Sequence, residues 1–158
     1  EMHPEFGAMV TAECDRLGRE LSPDELFAVF RRNYIDVPQK YRLAGHTIVE
    51  ESDGDGHRVN FRGTLSNGRD YAIEGAGNGP IDAFFQAVKA VPGAGLADYE
   101  FVTYHEHAIS AGSDSKAIAY IALRRPGGKI VYGVGIESNI NLASIQGVLC
   151  AINRSLAE

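Results

Sequence analysis

The sequence predicts an α+β fold: a duplicated βββα unit with helices layered on antiparallel strands, preceded by two short helices. Segments that alternate apolar and polar residues are separated by turns rich in Gly and Asn, which is typical of antiparallel strands. Each group of three such segments is followed by apolar residues at the i, i+3, i+4, i+7 spacing of an amphipathic helix. The order then repeats about 60 residues later. Two copies are too few for a solenoid, so the repeat indicates one domain with pseudo-twofold symmetry.

The N-terminal part of the chain predicts two short helices and a linker. The first helix ends at Gly18, because glycine readily adopts the left-handed conformation that follows a helix. The second begins at Ser22, which can cap the helix, and Glu25 stands three residues later as a capping box requires. The linker divides the chain into a helical linking subdomain over residues 1–38 and a second domain over residues 39–158.

The first βββα unit follows the linker. Val59 and Phe61 alternate with Arg58 and Asn60, the pattern of a strand with one buried face. A helix is expected from Pro80, with its apolar stripe facing the core. The three strands are expected at about 43–51, 57–65 and 69–75.

The second unit repeats this order, and a helix is expected from about Asn139. Its central strand, Ala117–Leu123, is apolar on both faces, so either the rest of the chain or a second copy must cover it. The strands are expected at about 99–109, 116–125 and 129–135. Residues of the two helices match at an offset of 60: Ala83, Gln86 and Val88 with Ala143, Gln146 and Val148.

Composition excludes several classes of function. Apolar residues form 44% of the 158, enough for a packed core. The net charge of -6 offers no basic surface for nucleic acid or anionic lipid. We expect neither a membrane span nor a signal peptide. Cys14 and Cys150 lie far apart, as expected of reduced thiols in a cytoplasmic protein. The chain begins with Glu rather than Met, so we expect a fragment of a longer protein.

Gly75–Pro80 is the sharpest local feature. A glycine-rich strand end that runs into a helix brings backbone N–H groups together with the positive end of the helix dipole, which suits a small anion. The segment is not a GxGxxG fingerprint, because Pro80 stands where glycine is required. A tight turn that needs positive φ explains the glycines equally well.

Two other groups of residues invite a chemical role. His105 and His107 alternate on a strand and so face the same side, but no third metal ligand stands at a suitable spacing, so structural roles are favoured. Asp114 lies between Ser113 and Ser115, yet no nucleophile-elbow motif surrounds it. Capping of a loop is the better interpretation of that group.

A resemblance to one family rests on segments spread over residues 40–155. The segments are Gly75–Phe84, Tyr104–Ile109 with Gly112-Ser113-Asp114, Gly133–Ile140 and Ala151–Arg154. In order and in content they resemble the C-terminal regulatory region of 2-isopropylmalate synthase, the first committed enzyme of leucine biosynthesis. The stretch from Glu5 through Ser22 also resembles the linking subdomain of that family.

The resemblance implies that this chain is a non-catalytic part of an acyltransferase. In the family, a separate catalytic barrel condenses acetyl-CoA with 2-oxoisovalerate and uses a divalent metal, and that barrel is absent here. We therefore expect no catalytic residue, metal site or cofactor in this chain. The implied partners are L-leucine as feedback inhibitor, a second copy of the chain in a homodimer, and the barrel of the same polypeptide.

The resemblance also implies the leucine site. Backbone N–H groups of the helix start would take the ligand carboxylate, and Asp82 is our candidate for its ammonium group. By position, the site residues are Gly77, Asn78, Gly79, Ile81, Asp82, Tyr104, Ala108, Ser115, Ala117 and Ile136.

Three alternatives remain open at this point. The related citramalate synthases carry a similar domain that answers to isoleucine, and one methylene changes binding by only about 1–3 kcal/mol. The chain could instead be a dimerisation module without ligand response. A small metal-binding enzyme that uses His105 and His107 ranks last.

Overall fold

A computed structural model describes residues 4–54, 56–109 and 115–158. The chain forms two compact units, Glu1–Pro38 and Gln39–Glu158. We describe the two units separately. Within the described residues, no helix has both the length and the apolar character needed to cross a membrane.

The first unit consists of helices α1 (Pro4–Leu17) and α2 (Pro23–Phe30), and α2 continues into a π-helical segment, Arg31–Ile35. The predicted capping box is confirmed: the Glu25 N–H donates to Ser22 Oγ at 3.2 Å, and the Ser22 N–H donates to Glu25 Oε1 at 2.9 Å. Gly18 has the expected positive φ of 71°. The aromatic rings of Phe6, Phe30 and Tyr34 pack edge to face or tilted, with centroids 5.4–6.1 Å apart.

The second unit confirms the predicted α+β fold with two successive βββα repeats. Its elements are β1 (Arg42–Asp53), β2 (Gly56–Ser66), β3 (Asp70–Gly77), α3 (Pro80–Lys89), β4 (Glu100–Ile109), β5 (Lys116–Arg124), β6 (Ile130–Glu137) and α4 (Ile140–Leu156). Each repeat forms its own three-stranded antiparallel sheet, in the order β1-β2-β3 and β4-β5-β6. Helix α3 packs on β2 and β3, α4 packs on β5 and β6, and the two helices also pack on each other.

The two repeats superpose element by element. In the first two strands the offset is 58 residues, because the pair Arg42–Ser66 corresponds to the pair Glu100–Arg124. Both first strands carry a β-bulge at the matching position, Leu43/Gly45 and Phe101/Thr103. From the third strand onward the offset is 60 residues, as the helix residues predicted, since the turn before β6 is two residues longer than the turn before β3. A shared bulge indicates duplication more strongly than residue identity does.

Glycines allow each helix to approach its sheet at backbone contact. A Cβ at Gly75 would lie 2.5 Å from the Ala83 carbonyl oxygen, and a Cβ at Gly135 would lie 1.8 Å from the Ala143 carbonyl oxygen. Gly75 therefore corresponds to Gly135, although the sequence pattern set Gly75-Ala-Gly77 beside Gly133-Val-Gly135. Side chains from both repeats then form one core, which includes Phe61, Leu65, Phe84, Val88, Ile121, Leu123, Ile145 and Ile152.

Strand β5 is covered on one face only. Its odd-numbered residues, such as Ala119 and Ile121, are buried beneath α4. On the opposite face Ala122 is buried, but Ile118 and Tyr120 are only half-buried. The interpretation of Ala117–Leu123 as buried on both faces within the chain is therefore wrong for these two side chains, because no helix of this unit packs on that side of the sheet.

Candidate functional site

An open cleft of about 440 Å³ lies where the two repeats meet, between the first turns of α3 and α4 and strand β4. Its volume is in the range of small-molecule sites. The lining residues are Asn78, Gly79, Pro80, Ile81, Asp82, Phe85, Phe101, Tyr104, Glu106, Asn141 and Ser144. Five of the ten predicted site residues, Asn78, Gly79, Ile81, Asp82 and Tyr104, are brought together here.

The two helix starts of the repeats differ in one respect that bears on the cleft. At α4, Asn139 is the N-cap, and its Oδ1 accepts the N–H of Leu142 at 2.8 Å. At α3, the corresponding residue is Gly79, and no side chain caps this part of the described structure. The first backbone bond of α3 runs from the Ala83 N–H to the Gly79 carbonyl. The N–H groups that precede it therefore point from an uncapped helix start beside the cleft.

Asp82 lies against this helix start. Its Oδ2 accepts the Asn78 N–H at 3.2 Å, and its Oδ1 accepts from Gln86 Nε2 at 3.3 Å. Gly77 makes room for the carboxylate, because a Cβ at that position would lie 2.1 Å from Asp82 Oδ2. One of the predicted anion-binding amides, that of Asn78, is thus already engaged by the protein itself.

Strand β4 supplies the opposite wall. Phe101 stands edge to face between two other lining rings, 6.1 Å from Phe85 and 6.3 Å from Tyr104 between centroids. Tyr104 is 43% exposed, so an apolar surface lies open to the cleft. Glu106 follows on the same face of the strand and adds a second carboxylate to the lining.

Three lining residues of mechanistic interest were not predicted from the sequence. Glu106 could have been found from strand alternation, because residues two apart share a face with Tyr104. Asn141 and Ser144 come from the start of α4, and no local signal connects them with α3. Ser144 is a buried polar side chain, 2% exposed, at the floor of the site.

The other predicted residues lie elsewhere. Ala108 pairs with Ala117 on the helix-covered face of the second sheet, but neither residue lines the cleft. Ser115 immediately precedes β5 and is exposed. Ile136 pairs with Ile118 and therefore points to the uncovered face, opposite to α4. Gly77 contacts the cleft only through Asp82.

The histidine pair lies on that uncovered face as well. His107 packs edge to face with Tyr120, with ring centroids 6.0 Å apart, and burial raises the pKa of the Tyr120 phenol above its ordinary value of 10.0. His105 and His107 are both exposed. Among the residues that the structure describes, no group of three or more His, Cys, Asp and Glu is placed to hold a metal ion. Ser113 and Asp114 lie outside the described residues.

The chemistry of the cleft is that of a site for a small zwitterion. The described lining includes two carboxylates and no basic side chain, so a bound anion must be held by backbone N–H groups. A cation would be held by Asp82 or Glu106, and an apolar group by the aromatic wall.

Comparison with known proteins agrees with this geometry. Residues 20–156 match the family model described as the LeuA allosteric (dimerisation) domain. The chain is 40% identical to a 2-isopropylmalate synthase of Clostridium acetobutylicum over 98% of its own length and 27% of the relative. It is 37% identical to a 2-isopropylmalate synthase of Pseudomonas fluorescens, over 99% of the chain and 27% of the relative. The chain thus spans about a quarter of the length of the curated relatives it matches.

The family model covers both βββα repeats and the α2 helix, and the fold, the cleft and the relatives point the same way. The chain belongs to the LeuA allosteric (dimerisation) domain family.

Proposed function

We propose that this chain is the regulatory and dimerisation domain of a 2-isopropylmalate synthase, and that its cleft binds L-leucine as a feedback inhibitor. The observation that carries the proposal is the uncapped start of α3, which faces a cleft with two carboxylates and an aromatic wall. These three features match the carboxylate, ammonium and branched side chain of an amino acid.

The carboxylate of leucine would bind at the α3 start. Gly79, Ile81 and Asp82 contribute the backbone N–H groups at this end of the helix, and Pro80 has none. The helix dipole favours an anion here by about 0.3–2 kcal/mol. The corresponding end of α4 is a poorer site, because Asn139 already supplies an oxygen to it.

The ammonium group would bind Glu106, with Asp82 as a secondary partner. Both oxygens of Asp82 already accept hydrogen bonds within the protein. Glu106 is exposed on the strand that forms the opposite wall. The ligand would therefore lie across the cleft, with its two charged groups directed to opposite walls.

The isobutyl group would contact the apolar part of the lining, which includes Ile81, Phe85 and Phe101. Burial of such a group contributes about 1.5–3 kcal/mol. One methylene contributes about 1–3 kcal/mol, so the shape of this wall decides between leucine, isoleucine and valine.

Dimerisation would use the uncovered face of the second sheet. This face carries Ile118, Tyr120 and Ile136, all half-buried, and no helix of the described unit packs on it. The matching face of the first sheet is polar and carries an ion pair, Arg62–Glu74 at 3.6 Å. Two apolar faces can cover each other across a twofold axis. Ile136 would then lie at the subunit interface.

The whole protein would carry a catalytic barrel with a divalent metal, which condenses acetyl-CoA with 2-oxoisovalerate. Leucine at this domain would lower that activity by binding two states of the enzyme unequally, with a coupling of about 1–3 kcal/mol. The names of the relatives support this activity for the longer protein.

Calorimetric titration of the chain with leucine, isoleucine and valine tests the proposal. Leucine should bind most tightly and should raise the melting temperature with concentration, since a ligand of the folded state stabilises it. Gly79→Asn copies the Asn139 cap and should weaken leucine binding by about tenfold or more, because the side-chain oxygen takes a donor that the carboxylate needs. The same variant should not lower the melting temperature.

Asn139→Gly is the matched control. It removes the cap of α4, at a cost of only a few tenths of a kcal/mol, and should leave the affinity for leucine unchanged. Tightest binding of isoleucine would contradict leucine as the effector. No binding of any of the three would leave a dimerisation module without ligand response.

The dimer surface has its own test. Ile118→Lys should convert a dimer to a monomer in light scattering after size-exclusion chromatography. Val49→Lys, on the polar face of the first sheet where Val49 is 54% exposed, should not change the mass. The reverse result would assign the interface to the first sheet.

A further inference from the structure

Helix α4 departs from the repeat by its length. At the offset of 60, Lys89 at the end of α3 corresponds to Leu149, yet α4 continues to Leu156. After α3 the chain instead turns through Gly93 and Gly95, both with a φ of +72°. The last two turns of α4 therefore have no counterpart in the first repeat.

This extension carries two buried polar side chains, Asn153 and Ser155, which are 4% and 2% exposed. The Tyr41 N–H donates to Asn153 Oδ1 at 2.8 Å, and Asn153 Nδ2 donates to the Tyr41 carbonyl at 2.9 Å. Ser155 Oγ lies 2.7 Å from the Tyr99 hydroxyl. Tyr41 and Tyr99 are equivalent at the offset of 58, and each immediately precedes the first strand of its repeat.

The two contacts differ in what they hold. Tyr99 lies between the repeats, inside the domain. Tyr41 is the third residue of the second unit, where the polypeptide arrives from the first unit. Asn153 satisfies both backbone groups of Tyr41 in a buried place, where an unpaired N–H or C=O is costly. The entry point of the domain is thus fixed to α4 by one side chain.

The opposite end of the same helix lines the candidate cleft. Asn141 and Ser144 belong to its first turns, and Ser144 lies about 14 Å along the axis from Asn153 at the rise of an α-helix. Gly133 and Gly135 bring the helix into backbone contact with β6, so it can move only as a body. Of the described residues, the buried polar side chains other than tyrosine are Ser144, Asn153 and Ser155, all on α4.

We propose that Asn153 is a positioning residue for regulation: α4 transmits occupancy of the cleft to the incoming chain through the pair of bonds between Asn153 and Tyr41. This inference rests on the proposed function, because it names the route by which ligand at that cleft acts. A ligand that seats α4 more firmly also strengthens the hold on Tyr41. By linkage, loss of that hold must weaken the ligand by the same factor.

Calorimetric titration of the 158-residue chain with leucine tests this route. Asn153→Ala should weaken leucine binding about fivefold or more, although Asn153 does not line the cleft. Ser155→Ala is the matched control, since it removes a buried hydrogen bond two residues away on the same helix. It should lower the melting temperature yet change leucine affinity less than twofold.

A second measurement needs no variant. Trypsin cleaves after Lys40, next to Tyr41, and after Arg69 in the exposed turn between β2 and β3. Saturating leucine should slow cleavage at Lys40 at least threefold more than cleavage at Arg69, because the ligand strengthens the hold on Tyr41. Equal slowing at both sites would mean general stabilisation and would overturn the inference.

The outcomes separate the two proposals. If the native chain binds leucine and Asn153→Ala binds it equally well, this route is wrong while the proposed function stands. Equal weakening by Asn153→Ala and Ser155→Ala would also reject the route, because any loosening of α4 would then suffice. If the native chain binds no leucine, both proposals fail together.

Discussion

Gly135→Ala should destabilise the second unit strongly. The added Cβ would lie 1.8 Å from the Ala143 carbonyl oxygen and 2.6 Å from the Gly147 nitrogen. An ordinary contact is about 3.5 Å, so α4 would have to withdraw from β6 by roughly 1.5 Å. Overpacking costs about 1–3 kcal/mol, and the upper end applies here because the blocking atoms are backbone rather than a movable side chain.

The assay is thermal unfolding followed by circular dichroism, at equal protein concentrations. A loss of about 3 kcal/mol lowers the melting temperature of a chain of this size by roughly 6–12 °C. Gly45→Ala is the control, since a Cβ at Gly45 meets no atom within 4 Å and its φ is not positive. It should stay within about 0.5 kcal/mol of the native chain. A Gly135→Ala variant that melts with the control would refute the backbone contact between α4 and β6.

Three further predictions concern the cleft, the first unit and the core. Glu106→Gln should weaken leucine binding more than Asp82→Asn in calorimetry, because both oxygens of Asp82 already accept hydrogen bonds. The Arg19 guanidinium and the cap bonds hold the pKa of Glu25 at about 2, below its ordinary 4.5. Its stabilising effect is therefore present above pH 4.5 and is lost as the pH falls towards 2, and Glu25→Gln should remove this part of an acid titration followed by circular dichroism. Phe84→Ala, at a fully buried site, should cost about 3–5 kcal/mol in thermal unfolding, far more than Phe27→Ala at a ring that is 53% exposed.

Local chemistry made much of the fold predictable. The capping box at Ser22 and the end of α1 at Gly18 depend on residues within one turn of each other, so sequence alone specifies them. The strands and both long helices follow from the periodicity of apolar residues. The π-helical segment Arg31–Ile35 has no comparable short-range signal, and the sequence indicated only a continuing helix there.

Contacts between distant segments were beyond such reasoning. The pairing of Asn153 with Tyr41 joins residues 112 positions apart, and a buried asparagine in a helix has no sequence signature for its partner. The place of Glu106 in the cleft required the register of β4 relative to α3. The glycine pairs were set side by side at the wrong spacing, because the extra two residues in the turn before β6 are visible only once the strands are paired.

The unequal starts of α3 and α4 have a consequence for stoichiometry. Duplication of a βββα unit creates two equivalent places where an anion could sit, so a symmetric ancestor of this arrangement would take up two ligands per polypeptide. With Asn139 in one place and Gly79 in the other, only one place per polypeptide remains vacant. Titration should therefore saturate at one amino acid per chain, and a twofold assembly should carry two.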